Sequence, residues 1–105
     1  MTVLIVGGVC QGKEHFARSR WPEQPLVNGL HRLVRRTLEE GGDPQALLPE
    51  LRGSVVTCDE IGCGIIPIDP AEERWREEVG RLCCALAAEA DEVWRIWAGL
   101  PQRLR

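Results

Sequence analysis

The stretch Val3-Leu4-Ile5-Val6-Gly7-Gly8-Val9-Cys10-Gln11-Gly12-Lys13-Glu14 decides the fold. Its first four residues are wholly apolar and mostly β-branched, as in a strand buried on both faces of a parallel sheet. The glycines end that strand, and His15 to Arg20 can continue as a helix. Strand, glycine loop ending in Gly-Lys, then helix is the layout of a phosphate-binding P-loop. The pattern G-x-x-x-x-G-K is complete from Gly7 to Lys13, but Glu14 stands where the pattern has Ser or Thr.

Pro22 and Pro25 limit the first helix, and Trp21-Pro22-Glu23-Gln24-Pro25 reads as a linker. From Leu26 to Glu40 the apolar positions recur at helical spacing: Leu26, Val27, Leu30, Leu33, Val34 and Leu38. Arg32, Arg35, Arg36, Glu39 and Glu40 fall opposite, and Gly41-Gly42 ends the run. Asp43-Pro44 is a cap followed by a first-turn proline, opening another short helix that Pro49 truncates or kinks. Ser54-Val55-Val56-Thr57-Cys58 is a second strand candidate, ending in Asp59-Glu60 and a loop through Gly62-Cys63-Gly64 to Pro67. Asp69-Pro70-Ala71-Glu72 starts a helix reaching about Ala90, with Trp75, Val79, Leu82, Leu86 and Ala90 on one face. Val93 to Ala98 is a third strand, closed by Gly99-Leu100-Pro101.

Alternating strands and helices imply parallel pairing with right-handed crossovers. The expected fold is therefore α/β: a small three-layer P-loop (RecA-like) domain over residues 1–105, with a reduced, mainly parallel sheet of about three strands. Ligands of such sheets sit at the C-terminal strand ends. That places the glycine loop with Lys13, the pair Asp59-Glu60, and Gly99 along one edge.

The 105 residues make one domain with a modest core, and 44% apolar with 28% charged residues is ordinary globular composition. A net charge of −3 gives no reason to expect a nucleic-acid partner. No run approaches the roughly 18 apolar residues of a membrane span, and no basic leader precedes Val3, so a cytoplasmic protein is expected. The cysteines Cys10, Cys58, Cys63, Cys83 and Cys84 include no C-x-x-C pair and read as free thiols. No metal site is expected from them.

In a P-loop, successive backbone N–H groups converge on a phosphate with a helix N-terminus behind them. Gly7 and Gly8 open the loop, Val9, Cys10 and Gln11 span it, Gly12 allows its closing turn, and Lys13 adds positive charge to the outer phosphates. The competing reading is a plain glycine turn. Glu14 replaces the hydroxyl that would hold Mg²⁺. A carboxylate about 4 Å from a phosphate charge is repelled by roughly 4 kcal/mol at an effective dielectric near 20. Three outcomes stay open: Glu14 ligates the metal itself, it turns away to pair with an arginine, or the loop no longer takes a nucleoside triphosphate.

Val56-Thr57-Cys58-Asp59-Glu60-Ile61-Gly62-Cys63-Gly64-Ile65-Ile66-Pro67 resembles the V-x-x-N-E-V-G-x-G-I-V-P signature of the adenosylcobinamide kinase / adenosylcobinamide-phosphate guanylyltransferase family. Arg76-Glu77-Glu78-Val79-Gly80-Arg81-Leu82 is similar to its R-D-x-x-G-R-L-N helix. Ala90-Asp91-Glu92-Val93-Trp94 and Ala98-Gly99-Leu100-Pro101-Gln102-Arg103-Leu104-Arg105 resemble its A-D-E-V-x…A-G-L-P-x-R-L-K ending. Gly7 to Lys13 matches its G-G-x-x-S-G-K loop. The resemblance implies cobalamin biosynthesis, ATP or GTP as ligand, Mg²⁺ as an open question, and a corrinoid as a possible partner. On a nucleotide-binding reading Lys13 would neutralise the phosphates, and Asp59, Glu60 or Glu14 would supply metal or base functions.

The departures bear on that implication. Family members are longer, and the missing block falls around Trp21–Pro25. With it should go the second strand, the histidine that accepts GMP, and the acidic strand end that assists Mg²⁺. Val27-Asn28-Gly29-Leu30 resembles the helix after the family's third strand. Asp59 stands for Asn, Cys83 for the Asn of G-R-L-N, and Glu14 for Ser. His31-Arg32-Leu33-Val34-Arg35 imitates the H-R-x-x-R pattern around the guanylylated histidine. The bland alternative puts His31 on the polar side of its helix, and His15 has less support still.

The first strand is expected at the centre of the remaining sheet, with the 13–21 and 70–90 helices serving one face. An exposed edge, or apolar surface around Trp75, Trp94 and Trp97, would then be covered by a second copy in a homo-oligomer. Two functional readings follow. One is a nucleotide-binding relative with at most kinase-type phosphoryl transfer and no guanylyl transfer. The other is a non-catalytic homologue with a regulatory or assembly role.

Overall fold

A computed structural model describes residues 1–61 and 69–105 of the chain. The loop residues Gly62, Cys63, Gly64 and Pro67 singled out above lie outside the described residues. The elements are β1 (Val3–Gly7), α1 (Lys13–Arg20), β2 (Leu26–Asn28), α2 (Leu30–Glu39), a 3-10 turn (Pro44–Leu47), α3 (Leu48–Leu51), β3 (Val55–Asp59), α4 (Pro70–Glu89), β4 (Glu92–Trp97) and β5 (Leu100–Arg103).

Five strands form one sheet in the order β2-β3-β1-β4-β5. The first four are parallel, and β5 runs antiparallel to β4. The glycine-loop strand is thus central, as the sequence implies. Register places Gly7 beside Asp59 on one side and Ile96 on the other, so three strand ends finish level. Asn28 of β2 pairs with Thr57 at the same edge.

Each face of the sheet follows the two-residue alternation of its strands. Val3, Ile5, Val55 and Ile96 point to one side, where Ala17 and Phe16 of α1 cover them with Trp21 and Trp94. Leu4, Val56, Cys58 and Val93 point to the other, under α2, α3 and α4 through Leu30, Val34, Leu51, Val79, Leu82 and Leu86. The helices therefore lie on opposite faces, which corrects the expectation that α1 and α4 share one. The connections force this: β1 to α1 and β3 to α4 cross over in opposite directions from the centre of the sheet.

Two short strands correct the expected count of about three. Leu26 to Asn28 was expected to open a helix. Instead Leu26 packs with the α1 side and Val27 with the α2 side, and Val55 N–H donates to the Pro25 carbonyl at 2.8 Å. Gly29, at φ 91°, then makes the sharp change of direction into α2. At the other edge, Ala98 (φ 49°) and Gly99 (φ 76°) both take left-handed conformations between the paired Trp97 and Leu100. Two positive-φ residues in a two-residue connection make a tight hairpin, which returns the chain as β5. Pro101 is tolerated there because β5 is an edge strand.

Of the three tryptophans expected to form an exposed apolar surface, only Trp97 is exposed, at 67%. Trp94 stacks in a cluster with Phe16 and Trp21, with the Arg20 guanidinium 5.0 Å from its ring centroid. Trp75 donates its indole N–H to the His31 carbonyl at 2.8 Å, under the Arg35 guanidinium. Among the described residues no helix is long and apolar enough to cross a membrane.

Candidate functional site

The loop between β1 and α1 forms one wall of an open cleft of about 280 Å³ at the C-terminal edge of the sheet. Two backbone features shape it. A Cβ on Gly7 would lie 2.7 Å from the Ile96 carbonyl oxygen, so only glycine lets β1 end this close to β4. Gly12 has φ 87° and hands the chain directly to α1, while Cys10 also holds a positive φ of 59°. The Glu60 N–H donates to the Gly7 carbonyl at 2.8 Å and fixes the loop to the end of β3. Gln11 crosses the cleft mouth, its Oε1 accepting the Ala98 N–H of the hairpin turn.

Lys13 is the first residue of α1 and is 8% exposed. Its ammonium donates to the Gly8 carbonyl at 2.6 Å, bending back across the loop. It also lies 2.8 Å from Asp59 Oδ1. The other Asp59 oxygen is 3.3 Å from His31 Nε2, and the Asp59 N–H donates to His31 Nδ1 at 3.2 Å. An accepting Nδ1 means an imidazole protonated on Nε2 alone, facing the carboxylate. Burial lowers the His31 pKa, Asp59 opposes that effect, and Arg32, Lys13 and Arg35 add to it. His31 thus sits on the cleft floor, a correction to its expected place on the solvent side of the helix. As residue i−3 to the buried Val34, it lies on the flank of the buried stripe. His15 is exposed and lines the cleft further out.

Glu14 turns away from the loop. Its Oε1 accepts the Asn28 amide N–H at 2.7 Å, and its Oε2 accepts Arg18 Nε at 3.0 Å. Asn28 in turn accepts the Thr57 hydroxyl at 2.6 Å, and the same hydroxyl accepts the Gly29 N–H at 2.9 Å. This chain of bonds ties the start of α1 to the ends of β2 and β3. Of the three outcomes open for Glu14, the geometry is that of pairing with an arginine.

Glu60 does not join Lys13. It leaves the cleft and pairs with Arg95 of β4 at 2.8 Å. Below Asp59, the Cys58 thiol donates to the Asp59 carbonyl at 3.4 Å and shares a hydrogen bond with Cys83. That bond and burial push the Cys58 thiol well above its usual range, so it stays protonated. The sequence singled out neither Asn28 nor Thr57 as a site residue. Asn-Gly after a proline-led apolar pair was the available signal for a strand end.

A protein-held Mg²⁺, left open by the resemblance, does not fit these residues. Among the described residues no three His, Cys, Asp or Glu side chains are grouped to hold a metal. The carboxylates of Glu14 and Asp59 are both already engaged by cations or an amide donor.

A mainly parallel sheet with a glycine loop and buried lysine at the end of its central strand defines a P-loop α/β protein. The family described as cobinamide kinase / cobinamide phosphate guanyltransferase matches residues 35–104. The chain belongs to that family. It is also 35% identical over 51 residues to the bifunctional adenosylcobalamin biosynthesis protein CobU of Salmonella typhimurium. That alignment spans 49% of this chain and 28% of the relative. The family match takes in the second half of α2 and all of β3, α4, β4 and β5, with Asp59. The glycine loop precedes it and stands on its own motif and geometry.

Proposed function

We propose that the chain binds the phosphate groups of a nucleotide, ATP or GTP, in the loop from Gly7 to Glu14. The observation carrying this reading is Lys13: a nearly buried ammonium at a helix N-terminus, held by the Gly8 carbonyl and Asp59 at the centre of an open cleft. An arriving phosphate would take over the ammonium from Gly8, and the uncapped N–H groups at the start of α1 would complete the cradle. Asp59 would act as counter-ion and position Lys13, rather than serve as a base. Glu60, tied to Arg95, would act at most on the strand end that carries Asp59.

Guanylyl transfer has no support in this geometry. His31 Nδ1 accepts a backbone N–H and Nε2 faces a carboxylate, so neither nitrogen is presented as a nucleophile. Kinase-type transfer would depend on Mg²⁺ brought in by the nucleotide, keeping mostly water and phosphate ligands. A second reading, a non-catalytic homologue with a regulatory or assembly role, is favoured by the engagement of both Glu14 and Asp59. A corrinoid partner, a homo-oligomer and a cytoplasmic location accompany either reading.

Calorimetric titration with ATP and with GTP, each with and without Mg²⁺, tests the binding claim. Heat and a thermal shift that vanish in Lys13→Ala are expected. No heat and no shift with either nucleotide overturns it.

A further inference from the structure

The wall of the cleft opposite the loop carries a second concentration of positive charge. The start of α2 borders two adjoining hollows, the loop cleft and a groove of about 330 Å³ over β2. Asn28, Gly29 and Arg32 line both, and Val27, Leu33 and Arg36 line the groove alone. The two hollows thus meet at these shared residues.

Arg32 and Arg36 are exposed, one turn apart on the same face of α2. The arginines around them are paired: Arg18 with Glu14, and Arg35 with Glu72 at 2.6 Å. Arg32 and Arg36 have no carboxylate partner among the described residues. Like charges at this spacing cost helix stability by a few tenths of a kcal/mol. Arg32 is nevertheless held in place. Its guanidinium donates to the Asn28 carbonyl at 3.2 Å and lies so close over Gly29 that a Cβ there would be 2.5 Å from it. A Cβ at position 29 would displace this pose, in which Arg32 lines both the cleft and the groove. A guanidinium fork fixed at one end and free at the other suits the oxygens of a phosphate group.

We infer that Arg32 and Arg36 form a second phosphate subsite, so the cleft takes two anionic groups side by side, one in the glycine loop and one on α2. The chemistry is that of a phosphate monoester or the terminal phosphate of a longer chain. The two anions can belong to one extended ligand or to two ligands. The inference deepens the phosphate reading of the loop, on which it rests for the first of the two anions.

Titration of the isotope-labelled chain with inorganic phosphate, followed by amide chemical shifts, tests it. Two sets of shifts are expected, one over residues 8–15 and one over residues 28–36. Lys13→Ala should abolish the first and leave the second. R32Q/R36Q should weaken the second by about tenfold or more, with the first changed by less than about twofold. R32K/R36K should give intermediate affinity, since charge returns without the fork. ATP in place of phosphate then distinguishes the sources. Both sets moving together assigns the anions to one molecule, and a second set still open to added phosphate assigns them to two; either accords with the subsite. Silence over residues 28–36, or no weakening in R32Q/R36Q, overturns it. If residues 28–36 respond while the loop stays silent, the loop reading fails and the arginine site stands alone.

Discussion

The ammonium of Lys13 lies 2.8 Å from the carboxylate of Asp59, and this ion pair, rather than an empty loop, is what an incoming phosphate meets. Lys13 is nearly buried and the Asp59 side chain is 21% exposed, so solvent screens the pair only partly. A ligand must share or displace the carboxylate.

Asp59→Asn should therefore raise phosphate affinity. Removing the counter-ion leaves Lys13 on the Gly8 carbonyl alone and frees its charge for the ligand. A gain of about tenfold, or about 1.4 kcal/mol, is expected for nucleotide or inorganic phosphate by calorimetry. Stability should fall at the same time, by about 1–3 kcal/mol in chemical denaturation, because a mostly buried cation loses its partner. Unchanged affinity would mean that Asp59 does not restrain Lys13.

Glu14→Ser separates two roles of one side chain. Glu14 places a negative charge beside the loop while bridging Arg18 and Asn28. With the carboxylate gone, repulsion toward phosphate falls and affinity should rise. The bridge is exposed, so its loss should cost no more than about 1 kcal/mol. Nucleotide titration paired with thermal melting reads both effects, and a fall in affinity would show that Glu14 assists binding.

The pH dependence of stability should carry the mark of His31. Burial lowers its pKa from 6.5, against the pull of Asp59 and with the help of Arg32, Lys13 and Arg35. The folded chain thus binds this proton less readily than the unfolded chain. The stability that neutral His31 contributes is fully present above about pH 6.5 and is lost as pH falls through the lower folded value. Denaturation midpoints from pH 7.5 to pH 5 should fall for the parent and flatten in His31→Gln. An equal slope in both would assign the fall to other groups.

Much of the site was legible because a glycine loop announces itself by backbone need. Gly7, Gly12 and Lys13 sit where the motif puts them, and β1, β3 and β4 follow from their apolar runs. The remainder was hidden by length and phase. A three-residue strand such as Leu26–Asn28 is too short for an alternating pattern to differ from a helical one. Starting the helix at Leu26 instead of Leu30 also concealed that Asn28 and Gly29 form a strand end and turn. The direction of His31 depends on which residues of α2 meet the sheet, and only packing fixes that. The hairpin to β5 was obscured by Pro101, which argues against a strand except at an edge. Glu60 is adjacent in sequence to Asp59, yet successive residues leaving a strand point apart, and Arg95 captures it.

Gly7→Ala tests the geometry that brings the loop to the strand ends. The new Cβ would meet the Ile96 carbonyl oxygen at 2.7 Å, a backbone atom that cannot rotate away. Either β4 shifts or the end of β1 does, and both carry the register that levels Gly7 with Asp59 and Ile96. A loss of about 1–3 kcal/mol is expected, as for other overpacked sites. The displacement should also move Lys13, whose side chain lies 3.5 Å from the same built Cβ, so phosphate binding should weaken with stability. Gly8→Ala is the control, since its Cβ would meet only the Gln11 side chain at 3.6 Å. Equal stabilities for the two variants in urea denaturation would show that the close approach of Gly7 to Ile96 does not constrain the loop.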